Sequence, residues 1–213
     1  MPAQTSDPAT DAALPLPRGC PAHPHECYDP PKSVSHHENA ARRITLRRLR
    51  AADARLYRAL RLRALKEHPD AFLISPQEEA RQGAAETRAR LRTSPTFGAF
   101  VDGDVAGMVG IHRETRVKAR HKCVLWGMYV APEFRGLGLG RALMLEALAC
   151  ARRMRGVEQV ILAVGSTNRS ARSLYRSVGF RRYGVEPRAM KLGRRTIDDE
   201  EMICFLTRRV SAR

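Results

Sequence analysis

Three glycines within five residues, at 136, 138 and 140, sit between an apolar stretch and a helical pattern, and this segment constrains the fold more tightly than any other. Upstream, residues 123–130 read as a strand. Downstream, Gly140, Leu143, Met144, Ala147, Leu148 and Ala151 share one face of a helix ending near Gly156. At a helix start the backbone N–H groups lack partners and the macrodipole is positive, so a phosphate can accept several hydrogen bonds there. Glycines remove the Cβ atoms that would hold a pyrophosphate off those groups. Arg135 and Arg141 add positive charge at the rim. Two familiar phosphate motifs are excluded. A P-loop needs Lys followed by Ser or Thr after its last glycine, where this chain has Arg141-Ala142; a dinucleotide fingerprint needs a glycine at the sixth position, where it has Arg141 or Leu143.

The rest of the chain fits an α/β layout around that turn. Residues 44–49 alternate apolar and polar side chains, as a half-buried first strand does. Leu56, Leu60 and Ala64 recur at helical spacing, with Asp53 as a capping residue and Pro69 beyond the end. A second helix, polar and rich in Glu and Arg, is expected over 76–92 as a surface element. Residues 97–101 and 105–112, joined by Asp102-Gly103-Asp104, read as a hairpin. Residues 157–164 form a nearly continuous apolar run, the pattern of a strand covered on both faces. Asn168 caps a short helix that Gly179 stops. Closing strands are expected near 180–183 and 202–206. The order β-α-α-β-β-β-α-β-α-β-β implies a mixed sheet flanked by helices on both faces.

Charge divides the chain. Residues 1–43 carry four Lys/Arg against five Asp/Glu, a net of −1, so residues 44–213 carry +17 and the whole chain +16. The first 43 residues hold few large apolar side chains and are expected to form a disordered extension ahead of one domain, 44–213. Between residues 135 and 195, fourteen Lys/Arg face three acids, a field that draws in an anionic ligand. No recognised nucleic-acid motif accompanies it, so nucleic acid is not the expected partner. Five cysteines, odd in number and scattered, argue for reduced thiols. The Cys20, His23, His25, Cys27 set lacks a familiar zinc spacing, and no metal is expected. No apolar run nears the roughly 20 residues of a membrane-spanning helix. The first residues have neither a basic nor an apolar leader segment, so a cytoplasmic protein without membrane association is expected.

Arg135-Gly-Leu-Gly-Leu-Gly140 matches the Gln/Arg-x-x-Gly-x-Gly/Ala motif of the GCN5-related N-acetyltransferase superfamily. The stretch Asn168-x-Ser170-Ala171-x-x-Leu174-Tyr175-x-x-x-Gly179-Phe180 resembles its second motif. The chain also resembles a bacterial group with the Tyr-Gly-x-Glu-Pro-x-Ala-x-Lys segment, here residues 183–191, followed by Asp199-Glu200. The resemblance covers roughly residues 44–208 and implies a splayed mixed sheet that binds acetyl-CoA as co-substrate for transfer to an amine acceptor. It implies that Arg135, Gly136, Leu137, Gly138, Leu139, Gly140 and Arg141 hold the pyrophosphate. Met128, Tyr129 and Val130 would line the pantetheine arm, with Asn168 contacting it, and Tyr175 would protonate the departing thiolate. Some relatives carry a glutamate base where this chain has Leu162-Ala163-Val164. His112, Glu114, His121, Asp199 and Glu200 remain as candidates for that role. The acceptor wall is expected from the first two helices, their connection over 69–73, and the closing strands. A small amine, an amino acid or a protein amine would each fit such a site, and a homodimer is compatible with the sequence.

Overall fold

The computed structural model describes residues 42–206. The amino-terminal extension up to residue 41 and its Cys20–Cys27 cluster lie outside the described residues. Seven strands form one mixed sheet in the order β1-β2-β3-β4-β5-β7-β6. They are β1 (Ile44–Arg48), β2 (Thr96–Val101), β3 (Asp104–Arg113), β4 (Lys122–Val130), β5 (Gln159–Gly165), β6 (Arg181–Leu192) and β7 (Arg195–Phe205). Only the β4–β5 pair is parallel. The β2–β3 turn places Asp102 at φ 52° and Gly103 at φ 97°, the paired left-handed geometry that an Asp-Gly hairpin turn supplies.

Among the described residues, five α-helices cover the two faces: α1 (Ala54–Glu67), α2 (Pro76–Arg81), α3 (Ala84–Thr93), α4 (Leu139–Arg153) and α5 (Arg169–Ser177). On one face, Leu143, Met144, Ala147, Leu148 and Ala151 of α4 are fully buried against Val109, Ile111 and Val160. Each leucine or methionine there contributes about 1.5–3 kcal/mol by leaving water. On the other face, Tyr57, Leu60 and Ala64 of α1 and Leu91 of α3 close over Phe100, Met108 and Tyr129.

Several expectations need correction. Asp53 stands at the start of α1 without capping it: its carboxylate accepts the Arg50 N–H at 2.7 Å and both Arg47 nitrogens at 2.8 Å, closing the preceding 3-10 turn instead. The helix expected over 76–92 is two helices broken at Gln82-Gly83; it lies on the surface as expected, with most of its side chains exposed, and turns Glu79, Thr87 and Leu91 inward. Ser75 caps α2 by accepting the Glu78 N–H while the Glu78 carboxylate accepts the Ser75 N–H, a local signature present in the sequence. Residues 157–164 are not covered on both sides; Val160, Leu162 and Val164 are buried, but Ala163 is exposed. The closing strands are far longer than expected. In them Asp199 and Glu200 lie mid-strand, with Glu200 turned to the α5 face and Asp199 to the other.

Candidate active site

Strands β4 and β5 pair only from Lys122↔Gln159 to Val124↔Ile161, and beyond those three pairs they part. The cause lies in β4. Between Met108↔Tyr129 and Gly110↔Trp126, β4 carries one more residue than β3, a bulge in which Gly127 takes φ 65°. A bulge bends its strand, and here it turns the end of β4 away from β5. The parted edges flank a cavity of 640 Å³. Asp70, Ala71 and Phe72 from the α1–α2 connection wall one side, and Asn168, Ala171 and Tyr175 of α5 wall another. Leu73 is outside it, 82% exposed.

The glycine turn closes one end. Gly136 and Gly138 adopt φ 81° and 74°, and a Cβ at either would meet nothing within 4 Å, so backbone conformation and not crowding demands glycine there. Gly140 answers to packing: its Cβ would stand 3.1 Å from Leu174 of α5. The Ala142 N–H bonds the Gly138 carbonyl. The three amides before it, Leu139, Gly140 and Arg141, therefore have no carbonyl within α4 to bond and are free for an anion.

A polar chain fixes the turn to α1. Arg63 grips Glu133 through two bonds of 2.6 and 2.8 Å and Glu67 through one of 2.7 Å, and the Tyr129 hydroxyl donates to Glu67 at 2.5 Å. The Arg63 guanidinium holds the Glu133 carboxyl down at about 2. Arg135 donates to the Val130 carbonyl at 3.3 Å and meets His68 Nε2 at 2.9 Å.

The structure brings Met128, Tyr129, Val130, Arg135, Gly136, Gly138, Leu139, Gly140, Arg141, Asn168 and Tyr175 to this one cavity. Leu137 is the exception; it packs against the core beneath the turn. Asn168 caps α5, its Oδ1 accepting the Ala171 N–H at 3.1 Å. Tyr175 is 7% exposed, packed at 6.1 Å from the Phe180 ring, and its hydroxyl has no bonding partner among the described residues. Burial pushes its phenol above the ordinary range, so it stays protonated at neutral pH.

The five candidate bases separate. Glu114 and His121 lie beside Lys122, where β4 begins, at the opposite end from the glycine turn. His112 lines a second cavity. Glu200 is held by Arg172 at 2.6 Å, with Arg176 and Arg182 at 3.6 and 3.8 Å. Asp199 pairs with Gly165, which lines the main cavity, and its buried Oδ1 lies 4.0 Å from where a Cβ on Gly165 would stand. Burial, then Glu186 and Asp198, push its pKa up. Sequence reasoning did not single out Trp126, which lines the cavity with no motif to mark it; Phe72 falls in the 69–73 connection expected to wall the acceptor site, and Ala163 in the stretch where some relatives carry a glutamate.

The Acetyltransferase (GNAT) family model matches residues 54–180. A mycothiol acetyltransferase of Thermobispora bispora is 35% identical over 145 residues, 63% of this chain and 45% of that protein, so the matched part spans under half the relative's length. The acetyltransferase of GNAT family from Streptococcus pneumoniae superposes with a TM-score of 0.70 at 23% identity, over 77% of this chain and all (100%) of that one, which shows the fold. A phosphinothricin acetyltransferase from Sinorhizobium meliloti, solved in complex with AcCoA, gives a TM-score of 0.66 at 26% identity over 76% of this chain and 88% of its own. Through the matched residues, which hold the bulged strand, the glycine turn and the Asn168–Tyr175 helix, this chain belongs to the Acetyltransferase (GNAT) family.

Proposed function

We propose that the cavity binds acetyl-CoA and that the protein transfers its acetyl group to a primary amine by direct attack within a ternary complex. The observation that carries this reading is the parting of β4 and β5 immediately ahead of a turn with unpaired amides. Such strand edges offer backbone bonds to an extended arm, as a strand added to a sheet would, and the turn offers an anion seat. The Sinorhizobium meliloti relative, solved with AcCoA, supports the same choice of ligand.

In this reading the Leu139, Gly140 and Arg141 amides hold the pyrophosphate, Arg135 and Arg141 screen its charge, and Met128 and Val130 present backbone groups to the arm. Acetyl-CoA supplies an activated thioester carbonyl. A β4 amide near Met128 stabilises the negative charge that develops on that carbonyl. Tyr175 gives its proton to the leaving sulfur. A thiol near 8.5 makes that transfer uphill from a buried phenol, so position and not acidity must drive it. Among the candidate bases, Asp199 is favoured to relieve the ammonium of its proton, directly or through water, because it stands beside the cavity and has no cationic partner among the described residues.

Calorimetric titration with CoA and acetyl-CoA, followed by thiol release across a panel of amines, tests the proposal. No heat with either would end it. With catalysis in hand, Tyr175→Phe is expected to lower kcat by about 10²–10⁴-fold while CoA affinity holds. Unchanged turnover would remove Tyr175 from the chemistry.

A further inference from the structure

A second cavity, of 310 Å³, adjoins the first. Arg61, Glu79, Arg90, His112 and Trp126 line it, and Trp126 lines the first cavity as well. Arg61 Nη1 lies 3.6 Å from where a Cβ on Gly127 would stand, which puts this guanidinium at the junction of the two.

The charges there do not cancel. Two guanidiniums share one carboxylate, and Arg61 and Glu79 are 6% and 1% exposed. Arg90 has its bonds: Glu79 Oε1 at 3.0 Å, the Tyr57 hydroxyl at 3.3 Å and the Gln82 side-chain oxygen. Arg61 does not. Among the described residues, its Nε and Nη1 are sealed from solvent and bond no atom, Glu79 Oε2 standing 3.6 Å from Nε and itself unbonded. Phe72 covers one face of the guanidinium at 4.8 Å. Burial pushes the Arg61 pKa down, with nearby Tyr57 and Glu79 only partly opposing it. A cation this deeply buried and short of hydrogen bonds is costly to hold, and Nη2, the guanidinium nitrogen that is not sealed, leaves it one atom through which a ligand in the cavity it lines can complete it.

We infer that Arg61 receives the carboxylate of the acceptor, so that the substrates are amines bearing a carboxylate in the same molecule, namely amino acids or short peptides. This rests on the acetyl-transfer reading above. The surplus of one positive charge matches a monoanion. With that group on Arg61, the amine of a short acceptor extends past Trp126 and Gly127 into the first cavity, where the thioester would lie. His112 shares the second cavity with Arg61, Glu79 and Arg90 and makes no bond to Arg61.

Trp126 is the sole tryptophan of the chain and reports on this junction directly. The test titrates the protein, with and without CoA, using the common amino acids, alanyl-alanine and their carboxamides, reading Trp126 emission and binding heat, with thiol release from acetyl-CoA in parallel. At least one carboxylate is expected to bind about tenfold or more tightly than its carboxamide, about 1.4 kcal/mol. Arg61→Met is expected to abolish that preference while CoA affinity and thermal stability hold, and Arg61→Lys, which keeps the charge, to retain part of it. Carboxamides binding as tightly as acids, no amino acid perturbing Trp126, or a preference that survives Arg61→Met would each overturn the inference. Carboxylate selectivity in a protein that binds no CoA would keep the Arg61 subsite and overturn acetyl transfer.

Discussion

Glu79 and Glu200 are both buried carboxylates ringed by arginines, yet they sit in opposite electrostatic situations. Around Glu200, Arg176 and Arg182 keep 55 and 57% of their side chains in water, so the excess charge is solvated, while Arg172, at 22%, holds the carboxylate at 2.6 Å. Around Glu79, Arg61 keeps only 7% and Arg90 24%. The same composition of one acid among several bases is therefore a surface-anchored clamp in one place and an incomplete ion cluster in the other. What separates them is solvent access, because a guanidinium that reaches water needs no protein anion and one that does not must find a partner elsewhere. The Glu200 clamp joins α5 to β6 and β7 and reads as structural. The Glu79 cluster faces a cavity and reads as a binding element.

The comparison can be broken by mutation. Glu79→Gln should cost about 3–5 kcal/mol of unfolding free energy, since it leaves the buried Arg61 guanidinium with no anion; chemical denaturation measures this. Glu200→Gln should cost less, about 1.5–3 kcal/mol, because its arginines relax into solvent. Equal losses would erase the distinction drawn between the two sites.

Asp199 sharpens it with the opposite sign. Its folded pKa is raised by burial and by Glu186 and Asp198, so its contribution to stability is fully present below the ordinary aspartate range and is lost as pH rises through the folded value. Asp199→Asn is thus expected to raise the unfolding midpoint at neutral pH, to leave it unchanged in acid, and to lower acetyl transfer. A variant that is no more stable at neutral pH than the parent would show that Asp199 carries no such strain. The smallest effect belongs to an exposed pair: Arg47→Ala, which removes the Arg47–Asp53 bridge at 2.8 Å with Arg47 47% exposed, should change stability by less than about 1 kcal/mol in the same denaturation assay.

The parts of this molecule that were legible in advance are those encoded over a few residues. The Asp102-Gly103 hairpin, the apolar face of α4, the Asn168 cap and the glycine turn each depend on neighbours within about one turn or one strand pair. Where the reading failed, the deciding partner was distant. The 76–92 stretch is a surface element, as its polar composition indicates, yet nothing local marks Glu79 as its inward-facing acid; Glu79 is interior because Arg61 and Arg90, 18 residues before and 11 after it, come to meet it. Ala163 belonged to an apparently continuous apolar strand, and only the departure of β4 uncovers it.

The chain's own order of residues determined the strand, glycine turn and helix, and with them the unpaired amides at the start of α4 and a family, because helix starts and left-handed turns are settled by local sterics and hydrogen bonding. Tertiary structure alone decided the Gly127 bulge, the opening between β4 and β5, and the fate of each buried charge. Those outcomes depend on which strands align and which side chains lose water, and both are set by contacts between segments far apart along the chain.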